Sequence, residues 1–171
     1  MSEIRILQTG ILDTDAEAVV NAANEGLWAG GGVCGVIFSA AGSRELTTAC
    51  REIGHCDTGS AVITPGFNLK AKYIVHAVGP VWEGGDHREP QLLYGCYIRS
   101  LELARENDIH SICFPLISAG IFGYPADKAW RKALQACKDF INNNPDYDVE
   151  IIFAIPQDDK YELGKEILKQ I

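Results

Sequence analysis

Six short runs along the chain are dominated by branched and aromatic apolar residues. Between most of them lie stretches where apolar positions recur every three or four residues. The first pattern predicts strands and the second predicts amphipathic helices. The expected strands are Ile4–Leu7, Ala18–Ala23, Ser60–Thr64, Lys72–Val78, Ile112–Ile117 and Glu150–Ile155. The runs holding Val75 and Val78, and Ile112 to Ile117, are almost unbroken, which suits central strands covered on both faces.

Helical spacing is clearest directly after a triple glycine, in Val33, Val36, Ile37, Ala40 and Ala41. Glu45–Ile53 reads as a second helix. Pro90 suits the first turn of a third, with Leu93, Tyr97, Leu101 and Ala104 along one face. Pro125 opens a fourth in the same way, with a stripe of Trp130, Ala133, Leu134, Cys137 and Phe140. Leu163, Ile167 and Ile171 mark a last helix, and Trp82–Glu89, with its glycines and charges, reads as an exposed loop. Strands alternating with helices predict an α/β fold. The expectation is a three-layer α/β/α domain over residues 1–171 with a mixed six-stranded sheet. In such sheets ligands gather at the carboxyl ends of the strands.

Composition narrows the function. The 171 residues are 47% hydrophobic and 22% charged, as in ordinary globular domains and unlike disordered chains. Fifteen Lys and Arg against 23 Asp and Glu give 15 − 23 = −8, which excludes a general basic field for nucleic acid. An anion site in such a chain is expected to use backbone N–H groups and helix ends. The uncharged stretch Gly26–Ser43 is rich in glycine and would make a poor membrane helix. The first residues lack a basic segment followed by an apolar one, so a cytoplasmic protein is expected. The six cysteines form no CxxC pair and read as reduced, small apolar residues. Cys50, His55 and Cys56 offer two or three zinc ligands, but no second ligand pair accompanies them. Neither a metal nor another cofactor is expected.

Two loops look suited to phosphate. The first runs from Asn21 through Gly30, Gly31 and Gly32 into a helix. Glycine lets backbone approach a ligand, and the helix adds open N–H groups and the positive end of its dipole. Triple glycine alone is equally compatible with a flexible turn. The second loop, Ser118-Ala119-Gly120-Ile121-Phe122-Gly123-Tyr124-Pro125, also joins a buried strand to a helix. Phe122 could pack on a ribose or base there, or simply join the core. Neither loop is a Walker A sequence or a GxGxxG fingerprint.

Taken in order, several motifs resemble the macro domain family. They are Asn21-Ala22-Ala23-Asn24, Gly30-Gly31-Gly32-Val33, Ala40-Ala41-Gly42, Thr58-Gly59-Ser60-Ala61 with Ile63-Thr64-Pro65-Gly66, Tyr73 to Pro80, and Ser118 to Pro125. The resemblance spans nearly the whole chain. It looks closest to the MacroD-type branch, which includes bacterial O-acetyl-ADP-ribose deacetylases. It implies binding of ADP-ribose, or an ADP-ribosylated substrate, and often hydrolysis of an ester on the distal ribose. By resemblance, Gly30, Gly31, Gly32 and Val33 wrap the distal ribose and its phosphate. Ser118, Ala119, Gly120, Ile121 and Phe122 hold the pyrophosphate from the other side. Asn24 contacts the distal ribose, Asn21 ties down the strand-loop turn, and the Ile11 backbone lies near adenine.

Three departures stand out. The branch carries Asp where this chain has Cys34, and often His where it has Phe38. The family often reads adenine with an Asp where this chain has Gly10, which leaves Asp13 or a main-chain carbonyl for that task.

Cys34 falls in the first turn of an expected helix, but a nucleophilic thiol also needs a base within reach. His76 sits in an apolar strand and reads as a satisfied core group, so Cys34 reads first as a small packed thiol. Asp57, Asp127, Asp158 and Asp159 read as helix caps or solvated charges. Ile155-Pro156-Gln157 and Tyr161 could border adenine, although Tyr161 could equally begin the final helix. A scaffold whose cleft serves a protein partner ranks low, because both anion loops would then be idle, and two functions remain open at this point. One is an ADP-ribosyl ester hydrolase using Asn24 and Cys34. The other is a non-catalytic ADP-ribose reader.

Overall fold

A computed structural model describes all residues from Met1 to Ile171. Its strands are β1 (Glu3–Leu7), β2 (Ala18–Ala22), β3 (Ala61–Pro65), β4 (Tyr73–Ala77), β5 (Ser111–Phe114) and β6 (Glu150–Ala154). Its helices are α1 (Gly32–Ala41), α2 (Ser43–Ile53), α3 (Glu89–Glu106), α4 (Ala126–Asn143) and α5 (Asp158–Gln170). The six strands form one sheet in the order β1-β6-β5-β2-β4-β3. Only the β3–β4 pair is antiparallel.

The layers follow from strand periodicity. Successive side chains of a strand point to opposite faces. Ile151, Phe153 and Ile155 enter one core with Val20, Ile112 and Phe114, under α3, α4 and α5. Ile152 and Ala154 enter the other with Val19, Ile74 and Cys113, against α1 and α2. Apolar residues on both faces explain the nearly continuous hydrophobic runs of the inner strands. Phe153 packs within 5.1–6.0 Å, ring to ring, of Trp130, Phe114 and Tyr97. The α4 stripe of Trp130, Ala133, Leu134, Cys137 and Phe140 is buried in full, as its spacing predicts.

The differences from expectation have local causes. The expected strand Ile112–Ile117 ends at Phe114, because Pro115 has no N–H for the ladder. Pro125 is the N-cap of α4 rather than a residue of its first turn. Trp82–Glu89 is not simply an exposed loop. Glu89 is buried, begins α3, and accepts backbone N–H bonds from Glu83 (2.9 Å), Gly85 (2.8 Å) and His87 (2.6 Å). Burial opposes its charge, but those bonds and its own N–H hold the carboxyl down at about 2.

All six cysteines are buried and unbridged. No helix is long and apolar enough to cross a membrane.

One feature of the sheet positions the site. β2 and β5 pair only at Ala18–Ile112 and Val19–Cys113, then part. The helix after β2 packs on one face, and the helix after β5 on the other. A crevice opens where adjacent parallel strands send their connections to opposite faces.

Candidate functional site

The crevice is a cavity of about 410 Å³, large enough for a small-molecule ligand. Its first wall is Ala22 at the end of β2 with Gly31, Gly32, Val33 and Cys34 at the start of α1. Its second wall runs from Pro115 through Leu116 and Ser118 to Gly120, Ile121 and Phe122. Its third is Ala154 to Gln157, beyond β6, with Lys160.

The first wall is built for an anion. Gly31 caps α1 without any capping side chain, and no acidic residue occupies the first turn. The first N–H groups of a helix lack intrahelical partners, and here the residues that carry them, Gly32 to Cys34, line the cavity at the positive end of the dipole. Gly32 adopts a φ of 57°, where an ordinary side chain would be strained. Gly35 lets the helix seat closely, since a Cβ there would lie 2.8 Å from the Gly30 carbonyl.

The second wall is braced from below. The buried Tyr97 hydroxyl donates to the Pro115 carbonyl at 3.3 Å and accepts the Ile117 N–H at 3.0 Å. Ser118 takes a left-handed φ of 69°, which costs a non-glycine residue about 1–2 kcal/mol. Its carbonyl accepts the Tyr124 N–H at 3.0 Å. Its hydroxyl is buried with no partner and lies against Gly79, where a Cβ would come within 2.3 Å of it. The Trp82 N–H holds the Phe122 carbonyl at 2.8 Å, joining this wall to the loop anchored by Glu89.

Behind Cys34 lies a buried polar chain. Asn21 Nδ2 donates to Cys34 Sγ at 3.5 Å and to His76 Nδ1 at 3.1 Å. His76 Nδ1 is then an acceptor, so Nε2 carries the proton and donates to Thr64 Oγ1 at 3.0 Å. Burial lowers the His76 pKa to about 4, consistent with that neutral ring. The sequence reading of His76 as a satisfied core group agrees with these two bonds. Asn21 Oδ1 remains buried without a partner. Cys34 Sγ also accepts the Gly30 N–H at 3.4 Å.

The residues expected at the site divide into two groups. Gly31, Gly32, Val33, Cys34, Ser118, Gly120, Ile121 and Phe122 line the cavity. Ile11, Asn21, Asn24, Gly30 and Ala119 lie outside its lining. Ile11 is buried in the core under α1 and α2. Asn24 is bound within its own loop, accepting the Trp28 N–H at 3.1 Å and donating to the Trp28 carbonyl at 2.9 Å. A Cβ at Gly10 would lie 2.6 Å from Asp13 Oδ2, so the Asp13 carboxylate fills the space beside Gly10. Ile155, Pro156 and Gln157 line the cavity, while Tyr161 packs against the core instead. Lys160 had no sequence signal, since one lysine in a charged helix start is unremarkable until the fold turns it inward.

The cysteines suggested as zinc ligands sit elsewhere. Burial raises the Cys50 thiol to about 11 and raises that of Cys56 as well. His55 instead faces Asp57 and Glu25, with one donor atom of each within 4.8 Å of the others. All three are exposed, and the two carboxylates are already bonded, Asp57 to His55 and Glu25 to Thr58. A second depression of about 610 Å³ lies between α3 and α4. Its arginines are paired, Arg99 with Glu102 and Glu106, and Arg105 with Asp146.

The fold and the cleft together define an open α/β sheet with an anion-accepting crevice at its switch point. The chain belongs to the macro domain family, whose model matches residues 20–133. It is 42% identical over 173 residues to a protein of Escherichia fergusonii named O-acetyl-ADP-ribose deacetylase, covering 99% of this chain and 97% of that one. It also resembles the Oceanobacillus iheyensis macrodomain solved with ADP. There the TM-score is 0.91 at 36% identity, covering 96% of this chain and 89% of that chain. A Trypanosoma brucei macrodomain solved in complex with ADP-ribose aligns with a TM-score of 0.89 at 35% identity, covering 96% of this chain and 68% of that chain.

Proposed function

We infer that this protein binds ADP-ribose in the crevice between β2 and β5 and hydrolyses ADP-ribosyl esters. The substrates in this reading are O-acetyl-ADP-ribose or proteins mono-ADP-ribosylated on Asp or Glu. The observation that carries it is the convergence of two backbone-rich walls on one cavity, the uncapped α1 N-terminus and the Ser118–Phe122 turn. Relatives that carry ADP, ADP-ribose or a deacetylase name support it. The six unbridged thiols fit a reducing cytoplasm.

In this reading the walls hold the pyrophosphate and leave the distal ribose near Cys34 and the Asn24 loop. Water adds to the ester carbonyl, the acyl–oxygen bond breaks, and ADP-ribose and the free acid leave. The protein contributes chiefly by positioning, which supplies on the order of 7–11 kcal/mol in ideal cases.

A reader without catalysis is the second reading. It is favoured by Cys34, whose sulfur takes N–H bonds from Gly30 and Asn21 where the branch carries a carboxylate. Incubation with O-acetyl-ADP-ribose and with an ester-linked ADP-ribosyl protein, followed by chromatography of the products, separates the two. Turnover establishes the hydrolase, and tight binding without turnover establishes the reader. No binding of ADP-ribose rejects both.

A further inference from the structure

The cavity lining contains one charged residue, Lys160. With a net charge of −8, the chain does not place a cation there through general basicity. Lys160 lies in the first turn of α5, directly after Asp158 and Asp159. Acids are favoured at that end of a helix, and a lysine is opposed by the same dipole. Its position therefore works against the stability of its own helix.

The residue is nevertheless held at both ends. Its carbonyl accepts the indole N–H of the fully buried Trp130 at 3.0 Å. A Cβ at Gly164 would collide with the same indole, so α5 has no slack against it. At the other end, Lys160 Nζ donates to the Ala119 carbonyl at 3.1 Å. The side chain thus crosses from the third wall of the cavity to the second. Its ammonium ends beside the backbone of the Ser118–Phe122 turn, the turn that also holds the unpartnered Ser118 hydroxyl. An ammonium has three donors, and only one meets a protein acceptor here.

We propose that Lys160 is a ligand-binding residue that recognises the charged diphosphate and makes the cleft select nucleotides over uncharged nucleosides. The inference rests on the cleft being the ADP-ribose site. The sequence reading expected backbone groups alone to hold the anion. Lys160 adds a full charge at the point where the second and third walls meet.

The test is calorimetric titration of the full chain with ADP-ribose, ADP and adenosine at low and moderate salt. Wild type is compared with Lys160→Met and Lys160→Arg. Lys160→Met is expected to bind ADP-ribose and ADP roughly tenfold more weakly, as loss of one charge-assisted contact implies. Its affinity should also depend less on salt, with adenosine binding unchanged. Lys160→Arg, which keeps the charge, should recover most of the loss. Undiminished ADP-ribose affinity in Lys160→Met overturns the proposal. Equal weakening toward adenosine overturns it too, because Lys160 would then merely brace the Ala119 turn. Wild type that fails to bind ADP-ribose rejects the proposed function and this inference with it. Wild-type binding without a Lys160 effect rejects this inference alone.

Discussion

Asn21 on β2 and His76 on β4 are register partners, and the Asn21 amide donates to His76 Nδ1 at 3.1 Å. The same amide nitrogen reaches Cys34 Sγ, so a buried imidazole is linked to the cavity wall through one side chain. His76 does not touch Cys34. It fixes the amide that does, and its own orientation is fixed by Thr64.

That arrangement predicts a pH dependence. The His76 pKa falls from 6.5 to about 4 on folding, so the unfolded chain binds the proton more readily between those values. Stability from the neutral, buried ring is complete above the unfolded value and is lost as pH falls toward 4. At 1.36 kcal/mol per pH unit the loss is about 3 kcal/mol. His110 shifts the other way, mainly through its bond to the Asp148 carbonyl, so the comparison must be between variants. Urea unfolding of His76→Gln at a series of pH values should show lower stability than wild type at pH 7 and a shallower decline below 6.5. Parallel curves for the two proteins would show that His76 does not titrate on unfolding.

Gly31→Glu should abolish ADP-ribose binding without unfolding the protein. Gly31 lines the cavity, has an ordinary φ of −87°, and has open space around a new Cβ. The added carboxylate would meet the phosphates at the helix N-terminus. Calorimetry should show affinity reduced by roughly 100-fold or more, with an unchanged circular dichroism spectrum. Wild-type affinity in a folded variant would remove the first wall from the site.

Cys34→Ala takes away the acceptor of the Gly30 and Asn21 N–H bonds. Stability should fall by about 1–2 kcal/mol, with ADP-ribose binding kept and ester hydrolysis reduced only modestly. Cys34→Asp places a carboxylate at the N-terminus of α1, which the dipole favours, and should raise hydrolysis. Asn24→Ala opens the 24–28 turn and should reduce turnover more than Cys34→Ala, by about ten- to hundredfold. Single-turnover assays beside binding curves separate these effects. Loss of nearly all activity in Cys34→Ala, with binding intact, would make the thiol catalytic.

Glu89→Gln should loosen the second wall from a distance. A carboxylate accepts all three loop N–H bonds, and a carboxamide cannot replace both of its oxygens as acceptors. The freed loop carries Trp82, whose N–H holds Phe122. The expected result is a Tm lowered by several degrees and ADP-ribose affinity reduced a few-fold. The carboxyl is held at about 2 in the fold, so its contribution is present above 4.5 and is lost as pH falls through that range. Identical melting curves for Glu89→Gln and wild type would show that the loop stands without it.

Local pattern determined the layers. Strand runs and helical stripes are written in neighbouring residues, because period-2 and period-3.6 burial depends only on which face meets a core. The glycine loops were legible for the same reason, as backbone that must approach something closely. Strand ends were less so, and Pro115 shows why, since one missing N–H stops β5 before its apolar run ends.

Tertiary structure alone decided the rest, through contacts between residues far apart in the chain. The parting of β2 from β5 after two paired positions makes the cavity. Asn21 finds His76 across neighbouring strands, and Glu89 turns inward because three loop N–H groups need an acceptor. Lys160 reaches Ala119 only because α5 is pinned to Trp130. A polar residue's role depends on which partners the fold delivers, and no period along the chain encodes them.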